Sequence, residues 1–347
     1  PGIAYSNPKT VRTDGATSIT KAISMCRKKY ASCFTAYKWD DFVARQYKIF
    51  LSNNKNIDKF LIFDATSNNP PEIKNSKVFT KQDFIDEGYA NFYQKSFFWW
   101  NLDYLFWGFF ENEPDYDYYV FQDYDSVINI DLETLLNNIA KDGIDFVASP
   151  VRETETEHDF FISRKDKTGW CFYKQHAPIY ADDEIDAMAI PIAILSRRAM
   201  EFLFQKRKQL SEAYNTGKMT SSPFCEVFIP TELRKNGSFK IRDILNYGKH
   251  DGFDWKIINM ENELKSLKNL DFIHPILDAK RHINNTIYYN LNKKNLINIK
   301  SDLYSNLRKN RTNEYIIPLL IGIYQKFINS SALRRGKEKW RDRRTVD

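Results

Sequence analysis

The sequence predicts an α/β fold in which helices flank a mixed sheet that is mainly parallel in its first half. Short apolar runs rich in strand-forming residues alternate with stretches whose apolar residues recur at helical spacing. This alternation is typical of β-α-β units, in which a helix connects two parallel strands. Of the 347 residues, 42% are hydrophobic and 28% are charged, proportions that suit a globular protein with a substantial core.

The first half of the chain contains most of the predicted strands. In chain order, the apolar runs predicted as strands are residues 33–37, 60–63, 77–80, 118–122 and 146–149. The stretches predicted as helices are residues 40–51, 83–94 and the strongly aromatic 97–110. Residues 192–203 are predicted as a strand that runs into a helix. Ser196 is its expected N-cap, because a serine hydroxyl can accept a hydrogen bond from the first turn.

The net charge of +6 is unevenly distributed along the chain. From residue 332 to the end there are seven basic and three acidic residues, so the tail holds about +4 of that total. The remainder is nearly neutral, which argues against a nucleic-acid groove across the main domain. We expect no nucleic-acid partner.

The start of the chain and its cysteines indicate a cytoplasmic protein. Residues 1–14 are polar, so no secretory signal is predicted, and the most apolar run, residues 315–323, is far shorter than the ~20 residues of a membrane span. The cysteines lack the spacing of a zinc site or a disulfide framework. They are Cys26, Cys33, Cys171 and Cys225.

An acidic pair follows the apolar run at residues 118–122. Residues i and i+2 of an extended chain point the same way, so Asp123 and Asp125 can approach one ligand together. Carboxylate oxygens suit Mg²⁺ or Mn²⁺, and such a cation neutralises a diphosphate. The carboxyl ends of parallel strands are where ligands collect in α/β sheets. Tyr37 and Asp64, at the ends of the first two predicted strands, are expected at the same edge.

At FQDYDS, residues 121–126, the chain resembles the GT-A glycosyltransferases, in which a nucleotide-binding sheet precedes a D-x-D motif at a strand end. As an order of elements the resemblance extends over residues 32–275. It implies a GT-A-like, Rossmann-like sheet and transfer of a sugar from a nucleoside-diphosphate sugar, a UDP-sugar above all. The implied acceptor is a hydroxyl of a glycan or glycolipid, as in bacterial surface polysaccharide synthesis.

The resemblance also implies roles for individual residues. Asp123 would contact the ribose or the metal, and Asp125 would be the main ligand of Mn²⁺ or Mg²⁺. Tyr37 and Asp64 fall where the family holds the base and the ribose. Many members complete the metal shell with a late histidine, for which His274 is the candidate and His250 the competing one. Nearby basic residues could meet phosphate oxygens; they are Lys249, Lys280 and Arg281.

Two regions offer a catalytic base for an inverting transfer, which needs a carboxylate to accept the proton of the acceptor. Glu226 heads an apolar segment, residues 221–233, that resembles the base-bearing segment of core-2/I-branching transferases, although Cys225 replaces the acid expected before it. Asp183 belongs to an acidic cluster at residues 182–186. A solvated loop explains that cluster better, with acceptor binding as its functional alternative, whereas a helix N-terminal charge explains Glu226 equally well.

Two other functions remain open. Residues 123–127 also fit the D-x-D-x-[TV] nucleophile loop of haloacid-dehalogenase-like phosphatases, with Asp182 and Asp183 as that family's later acidic pair. That loop normally follows the first strand of its domain, whereas here strands and helices precede it. A non-catalytic glycan-binding module is the third possibility, and it would not need Asp123 and Asp125 together.

Composition divides the chain into two predicted regions. Residues 1–280 form the catalytic domain, with a nucleotide-sugar half at about 30–150 and an acceptor half at about 151–280. Residues 281–347 form a helical, basic C-terminal extension. Its tail could contact an anionic inner leaflet or a partner chain, and a packing helix with a solvated charged end is the alternative.

Overall fold

A computed structural model describes residues 29–150, 173, 177–249, 252–253, 259–286 and 315–324. The basic tail, His250, Cys26 and Cys171 lie outside these ranges, so the predictions that concern them stay predictions. None of the helices among the described residues has the length and apolar character to span a membrane.

The first half of the chain forms four parallel strands. They are β1 (Tyr30–Ala36), β2 (Asp58–Asp64), β3 (Ser76–Phe79) and β4 (Tyr118–Asp123). Their order in the sheet is β3-β2-β1-β4, with β1 parallel to both β2 and β4 and β2 parallel to β3. Every residue of β1 is buried. The predicted parallel first half is therefore confirmed.

Three later strands complete a mixed seven-stranded sheet. They are β6 (Phe146–Pro150), β7 (Met188–Ser196) and β8 (Ile241–Asp243). The order continues β4-β7-β6-β8, and β7 is antiparallel to both of its neighbours. All nine residues of β7 are buried, which agrees with its apolar sequence and central position. The predicted α/β class with a mixed sheet is confirmed.

Helices cover both faces of this sheet. In chain order they are α1 (Asp41–Asn53), α2 (Lys81–Asp86), α3 (Phe97–Trp100), α4 (Leu102–Asn112), α5 (Leu132–Asp142), α6 (Arg197–Asn215) and α7 (Cys225–Asn236). Alternate residues of β4 face opposite layers: Tyr119 and Phe121 pack in the cluster that contains α4, α6 and α7, whereas Val120 packs with α5. The rings of Phe106 and Phe121 stack at 3.9 Å between centroids.

Two helices differ from their predicted bounds. The helix predicted over residues 83–94 ends at Asp86, because Gly88 adopts φ +84°, which turns the chain out of the helix. The helix predicted over residues 97–110 is interrupted at Asn101, whose side chain donates to the Phe97 carbonyl at 3.0 Å. The Ser196 cap is confirmed, since its Oγ accepts a hydrogen bond from the Ala199 N–H at 3.2 Å.

Short strands outside the main sheet bring the late part of the chain against the end of β4. They are β5 (Val127–Ile128), β9 (Gly252–Phe253), β10 (Asn259–Met260), β11 (Phe272–His274) and β12 (Ile276–Leu277), followed by helix α8 (Ala279–Thr286). β11 pairs antiparallel with β5 and parallel with β9. Since β5 directly follows the acidic pair, this three-stranded sheet carries His274 to that pair.

Candidate active site

The register of the sheet places the ends of β2, β1 and β4 side by side. Thr35 of β1 pairs with Asp123, and Ala36 pairs with Phe63 of β2. One residue further along, Tyr37 and Asp64 therefore lie at the same level, next to the loop that begins at Asp123. The expectation that these residues share one edge of the sheet follows from this register.

Asp123 is fixed by its strand neighbour and by the turn after it. The Thr35 hydroxyl donates to Asp123 Oδ1 at 2.5 Å. The Ser126 N–H donates to the Asp123 carbonyl at 2.9 Å, and the Gln122 side-chain amide donates to the Ser126 carbonyl at 2.7 Å. These bonds close a tight turn, so Asp123 and Asp125 are held in a defined position on the carboxyl end of β4.

His274 is the predicted metal ligand that the structure brings to the pair. Its Nε2 lies 4.0 Å from Asp125 Oδ1. The Ile276 N–H donates to the Asp125 carbonyl at 2.7 Å, which anchors the β11–β12 segment on the acidic turn. The Phe253 ring packs on the imidazole at 5.5 Å between centroids. His274 is 8% exposed, so packing restricts the orientation of its ring.

Glu226 lies in the first turn of α7 and is 6% exposed. Its Oε2 accepts a hydrogen bond from the Tyr173 hydroxyl at 2.9 Å, and its Oε1 accepts one from the Ile190 N–H at 3.3 Å. Its charge is near enough to raise the pKa of Asp123. The structure therefore brings the predicted base into the electrostatic field of the acidic pair.

Burial raises the pKa of all three carboxyl groups. Burial first, and then the charges of Asp125 and Glu226, raise the pKa of Asp123 to about 8 against the hydrogen bond from Thr35. Burial raises the pKa of Asp125 to about 7, although the Arg281 charge opposes it. Burial raises the pKa of Glu226 to about 7 despite its two hydrogen bonds. A cation between the paired aspartates would relieve their mutual repulsion.

Tyr37 and Asp64 line the edge next to the acidic turn. The Tyr37 side chain is 52% exposed, and its ring meets that of Tyr124 at 5.6 Å between centroids. Asp64 is partly buried, its Oδ1 accepts from the Thr66 N–H at 2.8 Å, and burial raises its pKa. Their predicted contacts with base and ribose are compatible with these positions and stay predictions.

Arg281 places a positive charge beside the acidic turn. It donates to Asp40 Oδ2 and to Asp278 Oδ2, each at 2.7 Å, and its guanidinium lies 4.4 Å from the centroid of the Phe42 ring. Its charge also opposes the raised pKa values of Asp125 and Tyr124. The two carboxylates hold Arg281 in a fixed orientation, and its predicted contact with phosphate oxygens stays a prediction.

Asp183, the second predicted catalytic carboxylate, lies elsewhere. It is exposed in the turn at residues 181–184. Within the described residues it makes no hydrogen bond or ion pair with Asp123, Asp125 or Glu226. Its neighbour Glu184 pairs with Lys235 on the surface at 2.8 Å.

Two residues of the site have no motif in the sequence. Thr35 contacts Asp123 only because β1 and β4 are adjacent, and Tyr173 contacts Glu226 from a segment 53 residues earlier. The signal for Thr35 is its place as a polar residue near the end of an apolar strand. The sequence offers no signal for Tyr173.

The donor set suits a hard divalent cation, although the described residues contain no group of three His, Cys, Asp or Glu side chains already gathered as a metal site. Asp123 and Asp125 would supply carboxylate oxygens and His274 a neutral imidazole nitrogen, a combination typical of Mn²⁺. The geometry that fits such a cation is the pair of carboxylates at one strand end with the His274 Nε2 4.0 Å from Asp125 Oδ1. These three residues remain our proposed ligands.

No protein-family model and no curated protein sequence matches the chain significantly. The chain is similar to several solved structures. The galactosyltransferase LgtC, in complex with donor and acceptor sugar analogs, matches at 14% identity and a TM-score of 0.37, covering 68% of this chain and 78% of its own. Mouse xyloside xylosyltransferase 1 matches at 9% identity and a TM-score of 0.36, covering 62% and 84%.

The third structure, a 4-diphosphocytidyl-2C-methyl-D-erythritol synthase from Anaerococcus prevotii, matches at 10% identity and a TM-score of 0.32, covering 62% of this chain and 87% of its own. The likeness thus extends to a protein that is not named as a glycosyltransferase. At these values it decides nothing about the site, and the proposed function rests on the geometry of the residues.

Proposed function

We propose that the chain is a metal-dependent glycosyltransferase that moves a sugar from a nucleoside-diphosphate sugar to a hydroxyl acceptor. The observation that supports this most directly is the approach of His274 to the Asp123–Asp125 turn at the carboxyl end of β4, with the Glu226 charge near enough to raise the pKa of Asp123. Two carboxylates and an imidazole suit a cation that binds diphosphate, and a third, separate carboxylate can serve as base. We propose a UDP-sugar as donor and a growing glycan or glycolipid, such as a bacterial surface polysaccharide, as acceptor.

A cation and two side chains of the site would bind the donor in this reaction. A divalent cation, when bound, would neutralise the diphosphate and stabilise the charge of the leaving group. Arg281, held by Asp40 and Asp278, would pair with a phosphate oxygen. Tyr37 offers an exposed ring beside the acidic turn on which a nucleobase can stack.

Glu226 completes the reaction as the general base. Its carboxylate accepts the acceptor's hydroxyl proton while the acceptor oxygen bonds to the anomeric carbon and the bond from that carbon to phosphate oxygen breaks. The diphosphate takes the bonding electrons as it leaves. A carboxyl group whose pKa is about 7 accepts a proton well at neutral pH, because catalysis is most effective when the pKa of the base lies near the working pH. This arrangement favours an inverting transfer.

A thermal-shift experiment tests the donor half. UDP, UDP-glucose, UDP-galactose, UDP-N-acetylglucosamine and GDP-mannose are added with and without Mn²⁺. We expect at least one to raise the melting temperature only with Mn²⁺, because ligand binding to the native state stabilises it by RT ln(1 + [L]/Kd). Asp125→Asn should abolish that shift.

Asp115→Asn is the matched control, since Asp115 is an exposed aspartate that precedes the opposite end of β4. It should keep the full shift. If no nucleotide shifts the wild-type chain in either condition, or if Asp125→Asn responds like the wild type, the proposal is wrong.

The phosphatase alternative is less compatible with the structure. Asp123 ends the fourth strand of the described residues, not the first, and Asp182 and Asp183 are exposed on a turn. Hydrolysis of 4-nitrophenyl phosphate by the wild-type chain, lost in Asp123→Asn, would favour the phosphatase over the transferase.

A further inference from the structure

A patch of aromatic side chains lies beside the start of α7. Tyr93 and Trp99 are each 43% exposed, and their ring centroids are 6.1 Å apart. Large aromatic rings gain by burial, so two adjacent rings that remain this exposed form a surface suited to a ligand.

The backbone at Tyr93 is strained. Its φ of 56° and ψ of 59° lie in the left-handed region, which a bulky side chain rarely adopts. In this conformation the Tyr93 ring stacks on Trp100 at 4.4 Å between centroids with planes 20° apart. Strain of this kind persists where the surroundings fix it, and it concentrates at ligand sites.

A buried layer supports the exposed rings. Trp100 is 3% exposed, and its Nε1 donates to the Ser222 carbonyl at 3.1 Å. Phe224 packs on both Trp99 and Trp100, with centroids at 5.3 and 5.4 Å. The patch is therefore attached firmly to the segment that enters α7.

That segment leads directly to the proposed base. Phe224 is the N-cap residue of α7, two positions before Glu226. The Tyr173 ring lies 6.2 Å from that of Phe224, while its hydroxyl donates to Glu226. The aromatic patch and the buried carboxylate are thus linked through two buried side chains, Phe224 and Tyr173.

We propose that Tyr93 and Trp99 form a subsite that stacks a pyranose ring of the acceptor glycan next to Glu226. One face of many pyranoses presents several C–H groups, which pack on a flat aromatic ring, while their hydroxyls stay in water. The patch is too small for a stable protein interface, which needs roughly 800 Å² from each partner. The assignment of the ring to the acceptor rests on the proposed function.

Saturation-transfer NMR tests the subsite with lactose, cellobiose, maltose and N,N′-diacetylchitobiose as probes. We expect the wild-type chain to saturate C–H protons of at least one of them. Trp99→Ala should weaken that binding about three- to tenfold, because the stacking contact of one aromatic ring is lost, and Trp99→Phe should restore part of it.

Tyr324→Ala is the control, since Tyr324 is 67% exposed in a different part of the chain and its loss should leave binding unchanged. Circular-dichroism melting confirms that each variant is folded. The subsite is refuted if none of the four sugars binds the wild type, or if Trp99→Ala binds as the wild type does.

The change in melting temperature caused by UDP and Mn²⁺, measured on the same samples, separates the two proposals. Sugar binding that depends on Trp99 without any nucleotide shift would support the subsite and refute the transferase. A nucleotide shift without sugar binding would support the transferase and refute the subsite.

Discussion

At the residue scale, Glu226 and Glu232 are two buried glutamates on the same helix whose surroundings differ. Both lie on α7 and are buried, and each accepts a hydrogen bond at 2.9 Å from a tyrosine hydroxyl, Tyr173 for Glu226 and Tyr180 for Glu232. Glu226 alone also accepts from the Ile190 N–H and lies in the field of Asp123. The two residues therefore form a matched pair for testing the base.

We expect Glu226→Gln to lower kcat by about 10²–10⁴-fold, the usual contribution of a general base. The donor KM should change little. Because burial raises the pKa of Glu226 to about 7 and only the ionised carboxylate accepts a proton, the wild-type rate should rise with pH through that value and then level off. At saturating Mn²⁺, which would keep Asp123 and Asp125 ionised, this limb should be absent in Glu226→Gln.

Steady-state rates with a donor that shifts the melting temperature check this expectation across the pH range. Glu232→Gln should keep its kcat within about threefold of the wild type, as expected for a residue away from the reaction. Equal losses in the two variants would assign Glu226 a structural role.

At the scale of elements, Asp145 joins three parts of the sheet's second half. It precedes β6, and its carboxylate accepts bonds from the Ser196 hydroxyl at the start of α6, from Arg198 at 2.6 Å through each of two nitrogens, and from the Lys240 N–H before β8. Its side chain is 4% exposed. One carboxylate thus fixes how β6, α6 and β8 meet.

We expect Asp145→Asn to lower the free energy of unfolding at neutral pH by about 1–3 kcal/mol, the cost of removing a charged acceptor from buried donors. Burial alone would raise the pKa of Asp145, but the bonds from Arg198, Lys240 and Ser196 outweigh it and hold the pKa below its usual range. The stabilisation is therefore complete above the unfolded pKa of about 3.9 and disappears as the pH falls through the folded pKa.

Urea denaturation at several pH values measures this difference. The difference in free energy of unfolding between the wild type and Asp145→Asn should become smaller as the pH falls. Asp142→Asn is the control, because Asp142 is exposed and, among the described residues, its carboxylate accepts no hydrogen bond; Lys240 donates to its backbone carbonyl instead. A gap that widens as the pH falls would contradict the proposed linkage.

At the scale of the whole molecule, the late part of the chain is joined to the first half. Arg281 of α8 reaches Asp40 at the start of α1. Met260 and Ile283 pack in one cluster with residues of the segment 315–324, namely Tyr315, Ile316 and Leu319. The predicted domain boundary after residue 280 falls inside α8, so the extension and the catalytic domain share these contacts.

We expect a chain that ends after Asp278 to lose both stability and donor affinity. Removal of the apolar side chains at residues 283 and 315–319 should lower the free energy of unfolding by several kcal/mol, at about 1.5–3 kcal/mol for each large buried side chain. Loss of Arg281 should weaken UDP binding. Calorimetry with UDP and Mn²⁺ measures the change in donor affinity. Arg281→Ala in the full chain separates that change from the loss of stability.

Full UDP affinity in both the shortened chain and Arg281→Ala would show that Arg281 does not meet the phosphates. Full affinity in the shortened chain alone would contradict the expectation that this region supports the donor site.

Local patterns predicted the elements and the half of the site that follows from strand ends. Apolar runs located β1, β2 and β4, and the i, i+2 spacing paired Asp123 with Asp125, because strand periodicity depends only on the nearby sequence. The same local reasoning failed at Gly88 and Asn101, where turn geometry and a side-chain bond ended helices whose apolar pattern continued.

Tertiary structure alone decided which distant residues meet. The sequence offered both Glu226 and Asp183 as catalytic carboxylates and preferred Glu226 as the base. The packing of α7 beneath β7 buries Glu226 and leaves Asp183 on an exposed turn. Thr35 and Tyr173 join the site through long-range contacts. The sequence determined where strands end in carboxylates; the fold determined which carboxylates lose water, and loss of water is what raises their pKa values to the range useful for catalysis.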